Sequence, residues 1–131
     1  MSFVVKRARA LCGCRFRPQG RTPELGLDCV GLACAVYRIP ANRIPNDYRL
    51  RSGDADRLQN YVEQFFRKVR KAWPGDLLTL RVAPDQLHLA ILSERGFIHA
   101  DAGLRRVVET PGPPPWPILS VHRRRRKPIE K

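Results

Sequence analysis

At Trp73-Pro74-Gly75-Asp76 the spacing of apolar residues changes period, and this change restricts the available folds more than any other feature of the chain. Before it, Leu58, Tyr61, Val62, Phe65, Phe66 and Val69 recur at three- and four-residue steps, which predicts a helix over 54–71 with its apolar stripe facing a core. After it, short runs at 77–82, 87–92, 97–100, 105–109 and 118–122 read as strands. Turn residues such as Ser93-Glu94-Arg95-Gly96 and Ala102-Gly103 separate them. Helices first and short strands second predict an α+β domain, its N-terminal helices packed on one side of an antiparallel β-sheet. With 131 residues, 43% of them hydrophobic, the chain can close one core and make one domain.

Two further helices are expected in the first half. Residues 3–12 place Val4, Val5, Ala8 and Leu11 on one face and Lys6, Arg7 and Arg9 on the other, with a stop at Gly13. Residues 29–38 form an apolar, helix-compatible run that ends before Pro40. Between them, 14–27 holds two prolines and two glycines and reads as an irregular loop; 41–53 reads as a polar connection. Near the end, the proline-rich arm 110–117 is expected to stay extended and unpaired. The domain is placed at 1–122 and a solvated basic tail at 123–131, carrying Arg123, Arg124, Arg125, Arg126 and Lys127.

A net charge of +13 asks for an anionic partner, and the body remains basic without the tail. No apolar run approaches the roughly 18 residues of a membrane span. The N-terminal segment carries charges inside its apolar stretch, unlike a signal peptide. Cys12 and Cys14 are too close to pair with each other, and the spacings Cys-x-Cys and Cys-x4-Cys differ from the usual zinc pairs. Reduced thiols and no metal are therefore expected, with Cys12, Cys14 and Cys34 packed as small hydrophobes.

Cys29 stands apart from these three. Asp28 is a good N-cap residue, which sets the thiol at the positive end of a helix, where an anion is favoured and a thiol pKa is lowered. The Cys29 backbone N–H at that position is a candidate oxyanion donor. In the strand 87–92, alternation puts Leu87, Leu89 and Ile91 on one face and His88 with the small Ala90 on the other. His99 follows beyond a hairpin turn on the face of Phe97, so the two imidazoles can meet. A thiol needs a base, and that base needs a polar partner to fix its tautomer. Cys29, His88 and His99 supply those roles, and acyl transfer, most simply amide hydrolysis, is the reaction class. On the loop that leads to Cys29, the candidates for substrate contact are Phe16, Arg17 and Arg21.

Four segments then carry a family likeness. The run Gly13-Cys14-Arg15-Phe16-Arg17-Pro18-Gln19-Gly20-Arg21-Thr22-Pro23-Glu24-Leu25-Gly26-Leu27-Asp28-Cys29-Val30-Gly31-Leu32 resembles the nucleophile region of the NlpC-type papain-like cell-wall cysteine peptidases. Pro74-Gly75-Asp76-Leu77-Leu78 is similar to the family's turn into the first strand. Leu87-His88-Leu89-Ala90-Ile91 and Phe97-Ile98-His99-Ala100 are similar to its two histidine strands. The resemblance implies a papain-like α+β fold, Cys29 as nucleophile, His88 as general base and His99 as its orienting partner. It implies hydrolysis of amide bonds in peptidoglycan stem peptides without metal or organic cofactor. Phe16 stands where the family usually has a tyrosine, Gln19 replaces a glycine and Val30 replaces a serine.

The compact form resembles the peptidases of phage tails and gene transfer agents. That resemblance implies synthesis in the cytoplasm, delivery in a particle, action at the cell wall, and tail or baseplate proteins as further partners. Two alternatives stand beside the peptidase. One is a catalytically inactive tail-tip component of the same fold. The other is a basic nucleic-acid-binding module; with no recognition motif, specific nucleic-acid binding is not expected.

Overall fold

The computed structural model describes residues 3–44 and 55–126. Most of the expected connection 41–53, and the end of the expected tail from Lys127, lie outside the described residues. In chain order the elements are α1 (Phe3–Ala10), the short strands β1 (Arg21–Thr22) and β2 (Gly26–Leu27), α2 (Cys29–Tyr37), a 3-10 turn (Ala41–Arg43), and α3 (Ala55–Phe65). Six strands follow: β3 (Phe66–Lys68), β4 (Leu77–Ala83), β5 (Gln86–Leu92), β6 (Gly96–Asp101), β7 (Arg106–Pro111) and β8 (Ile118–Arg124). They form one antiparallel sheet in the order β3-β8-β4-β5-β6-β7. The predicted α+β plan is the one observed.

The centre of this plan is α2. Its sequence, CVGLACAVY, is apolar on every side, and a helix of that kind has to be buried. All of its residues but Ala35 are buried, and Leu32 and Val36 meet the inward face of the sheet through Leu89, Ile91 and Ile98. Tyr37 at its end is also buried; its hydroxyl donates to the Gly75 carbonyl at 2.8 Å, which ties the helix to the turn where the sequence changes period. Val5 of α1 and Leu58, Val62 and Phe65 of α3 complete that core, as their helical spacing predicts. The opposite face of the sheet is apolar too. Leu78, Leu80, Ala90 and Phe97 are buried there under Trp116, Val82 and Val121. Leu78, Leu80 and Phe97 each contribute about 1.5–3 kcal/mol through burial.

Beyond shifts of one or two residues at other element ends, three boundaries differ from the sequence expectation in ways that bear on the fold. The helix expected over 54–71 ends at Phe65, because the next three residues form β3 on the open edge of β8, with Phe66 opposite Arg124. Phe66 packs edge-on against Tyr37 at 4.8 Å, and the Phe65 carbonyl accepts from the Arg125 N–H at 2.8 Å. Sheet hydrogen bonds and aromatic packing outweigh the helical period there. The arm expected from residue 110 begins two residues later, since Thr110 and Pro111 pair with Phe97 and Gly96 at the end of edge strand β7. The edge position spares Pro111 a donor it lacks.

The third difference concerns the tail. Strand β8 runs through Arg124, past the expected domain limit at 122. Arg123 donates through Nε and Nη2 to the two carboxylate oxygens of buried Asp76, both at 2.9 Å, and lies over the Trp73 ring at 4.3 Å. Arg124 donates to the Tyr37 and Phe65 carbonyls, and Arg125 to those of Glu63 and Phe66. A buried carboxylate and the exposed carbonyls at the end of α3 need cationic donors, and the start of the basic run supplies them.

Candidate active site

The loop 14–27 is more ordered than expected. It contains the β1–β2 ribbon and is stitched to β7 by Gly13 N–H to the Val107 carbonyl, Phe16 N–H to that of Arg105, and Val107 N–H to that of Cys14. It also presses on α2: a β-carbon at Gly31 would collide with the Gly20 carbonyl, so the loop backbone rests on the first turn of the helix because residue 31 is glycine, while a β-carbon at Gly20 would collide with the Gly26 carbonyl inside the loop. Gln19 adopts φ 58°, the left-handed region where a glycine is unstrained.

Asp28 is the N-cap of α2, as predicted. It is extended, and its Oδ1 accepts from Gly31 N–H at 2.7 Å. The same carboxylate accepts from Gln19 N–H at 3.1 Å and from Arg21 Nη1 at 3.2 Å. One buried side chain thus caps the helix and fastens the loop over it. Cys29 is the first residue of the helix, 2% exposed, and its backbone N–H has no acceptor within the helix.

His88 and His99 meet as their alternation predicts. The His88 Nε2 and His99 Nδ1 atoms are 2.9 Å apart, with the rings nearly perpendicular. Trp116, carried by the arm between β7 and β8, stands about 6 Å from both rings, and Phe97 packs at 4.8 Å from His99. Ala90, on the same strand face as His88, is fully buried with Leu78, Leu80 and Phe97 and leaves no room beside it. Open space lies instead in a cavity of about 610 Å³ whose walls include Asp28, Cys29, His88, His99, Asp101, Phe16, Gln19 and Trp116.

Burial governs the acidity of these groups. The Cys29 thiol is pushed up to about 12, first by loss of solvent and then by the Asp28 charge; backbone hydrogen bonds from Leu89 and Val30 and the Arg21 charge pull the other way. The sequence expectation of a lowered thiol is therefore reversed, because desolvation exceeds these lowering contacts. His88 is held down to about 4, by burial and then by His99, and burial lowers His99 as well. At neutral pH the site therefore rests as a neutral thiol beside neutral imidazoles.

Of the residues expected to contact substrate, Phe16 lines the cavity. Arg17 is exposed and lies outside the lining, and Arg21, its side chain 12% exposed, is engaged with Asp28 and the Gly20 carbonyl. For Arg21 the cause is physical: the buried Asp28 charge takes the nearest guanidinium for the scaffold. Sequence reasoning missed Asp101 and Trp116. The His99-Ala100-Asp101 alternation held a signal for Asp101, whereas nothing local announced that the arm would fold Trp116 onto the imidazoles.

A cysteine at the head of a buried helix thus shares one cavity with two histidines, 2.9 Å apart, carried by the sheet. Among solved structures the chain is similar to the NlpC/p60 domain of the peptidoglycan hydrolase SagA, with a TM-score of 0.57 and 23% sequence identity over 83% of this chain and 86% of that one. At this identity the likeness establishes the fold. No protein-family model matches the chain, and no curated protein matches it by sequence. Among the described residues no helix is long and apolar enough to cross a membrane.

Proposed function

We propose that this chain is a cysteine peptidase that hydrolyses amide bonds in the stem peptides of peptidoglycan. The observation that carries the reading is the 2.9 Å His88–His99 pair opening on the same cavity as the helix-start thiol of Cys29. The likeness of its fold to a domain from a peptidoglycan hydrolase supports the substrate class.

The resting protonation states support the following roles. Because Cys29 is a thiol at neutral pH, His88 has to take its proton as sulfur attacks the carbonyl carbon. His88 Nε2 is occupied by His99, so Nδ1 is the nitrogen that acts. The carbonyl oxygen gains charge near the free N–H of Cys29, at the positive end of α2. Collapse of the tetrahedral intermediate expels the amine, which leaves with the proton from His88. Water, deprotonated by His88, then hydrolyses the thioester and restores the thiol. The test is a digest of purified peptidoglycan by the parent and by Cys29→Ala, with fragments identified by mass spectrometry. Stem-peptide cleavage by the parent alone supports the mechanism; equal cleavage by both ends it.

One set of observations favours a second reading, an inactive component of the same fold. Phe16 gives the cavity wall a ring without a hydroxyl, and Cys29 is held protonated. Well-folded parent protein that releases no fragments would favour it. For either reading we propose a phage-like tail as the setting, with tail or baseplate proteins as partners; the protein should co-sediment with particles, and recovery only as free protein would overturn this. A nucleic-acid module gains no support from the basic run, since Arg123, Arg124 and Arg125 are engaged within the fold.

A further inference from the structure

We propose that Asp101 is a positioning residue that selects the tautomer of the His88–His99 pair in which His88 Nδ1 is free to act as the base. The inference rests on the peptidase reading for its consequence, while its structural part stands independently of turnover.

The two rings share one proton position. Either His88 Nε2–H donates to His99 Nδ1, or His99 Nδ1–H donates to His88 Nε2, and both fit the 2.9 Å separation. In the first arrangement His88 Nδ1 carries a lone pair and can accept a proton. In the second, neutral His88 carries its proton on Nδ1 and has no base to offer. The first arrangement also puts the proton of His99 on Nε2, where it needs an acceptor.

Asp101 supplies a negative charge beside that nitrogen, just beyond direct hydrogen-bond reach. Two residues beyond His99 in β6, it shares the face of that imidazole, and its Oδ2 is 3.9 Å from His99 Nε2. The carboxylate is held by its own turn: Oδ1 accepts from Gly103 N–H at 2.8 Å and Leu104 N–H at 3.1 Å. Its cross-strand neighbour in the ladder is Arg106, an exposed cation that would be its ordinary partner. Among the described residues these two form no ion pair, so the turn directs Oδ2 toward the imidazole instead. The Asp101 charge also favours the protonated form of both histidines. Among the described residues, the titratable and charged groups on the cavity of the pair are Asp28 and Cys29 at the start of α2, His88 from β5 and Asp101 from β6, with Arg106 of β7 opposite Asp101 and with Phe97 and Trp116 as apolar walls.

The test is Asp101→Asn. Asparagine keeps a carbonyl for the Gly103 and Leu104 N–H groups and turns an NH2 donor toward His99 Nε2, which favours the second arrangement. Side-chain nitrogen NMR of histidine-labelled protein should show His99 protonated on Nε2 in the parent and on Nδ1 in the variant. The variant should keep its KM and lose kcat by about 100-fold, the lower end of what a general base supplies. Asp101→Ser, which retains a turn acceptor but nothing facing His99, should lose less and serves if the asparagine variant fails to fold. An unchanged tautomer in a folded variant, or a changed tautomer with kcat within threefold of the parent, overturns the proposal. If the parent cleaves nothing and the tautomer still changes, Asp101 holds its role and the peptidase reading falls.

Discussion

If burial sets the acidity of Cys29, alkylation of its thiol should be slow at neutral pH and climb without a plateau through the alkaline range. With the thiol pushed up to about 12, roughly one part in 100,000 is thiolate at pH 7, against about 3% for a free cysteine of pKa about 8.5. That is a deficit of about 3000-fold. A more basic thiolate is the better nucleophile, with a Brønsted slope of about 0.45, which returns about 40-fold over the same interval. Cys29 should therefore react with iodoacetamide about 100-fold more slowly than an unstructured thiol, and its 2% exposure can only widen the gap. The assay is the rate of Cys29 modification from pH 6 to 9, with the modified residue assigned by peptide fragmentation. The rate should rise about tenfold per pH unit across the range. A level or bell-shaped rate between pH 5 and 8 would mean a thiolate held by a protonated His88, and would refute the assignment of a neutral resting pair.

The other predictions concern stability and can be read by thermal or denaturant unfolding. His88, held down to about 4 from an ordinary 6.5, contributes stability that is present above pH 6.5 and lost as pH falls through 4; the change is about 3 kcal/mol and should shrink in His88→Phe. Arg123→Ala leaves the buried Asp76 carboxylate without its cation and should cost about 3 kcal/mol, with most of that loss removed when Asp76→Asn is added. Asp28→Ala should cost about 2–3 kcal/mol, because the cap of α2 and the counter-charge of Arg21 disappear together; a loss below about 0.5 kcal/mol would deny Asp28 that double duty.

How legible this molecule was depends on whether the deciding interactions were local. The α2 cap could be read because Asp28 and Gly31 are three residues apart, and the His88–His99 meeting because strand alternation and a short turn determine it. The end of α3 could not, since Phe66 leaves its helical period to pair with Arg124, which lies far along the chain. The basic run misled for the same reason: charge density says solvated, and only the buried Asp76 makes Arg123 part of the scaffold. Arg21 looked available for substrate until Asp28 took it. The acidity of Cys29 was misjudged because a helix terminus is visible in sequence and the depth of burial is not.

The place of β8 in the sheet has a consequence for how the protein is made. It lies between β3 and β4, so the strand nearest the end of the described chain is flanked by two that leave the ribosome long before it. The β4–β5–β6–β7 meander can pair as it emerges, but Asp76 must wait on the order of 50 residues for Arg123, several seconds at ordinary rates of synthesis. During that interval β4 and β3 present unpaired edges, and this is when a chaperone would be needed most. A chain stalled short of β8 already holds Cys29, His88 and His99, but in an unfinished sheet. The order of the strands thus leaves the β4 edge of the sheet unpaired until translation has passed Arg124.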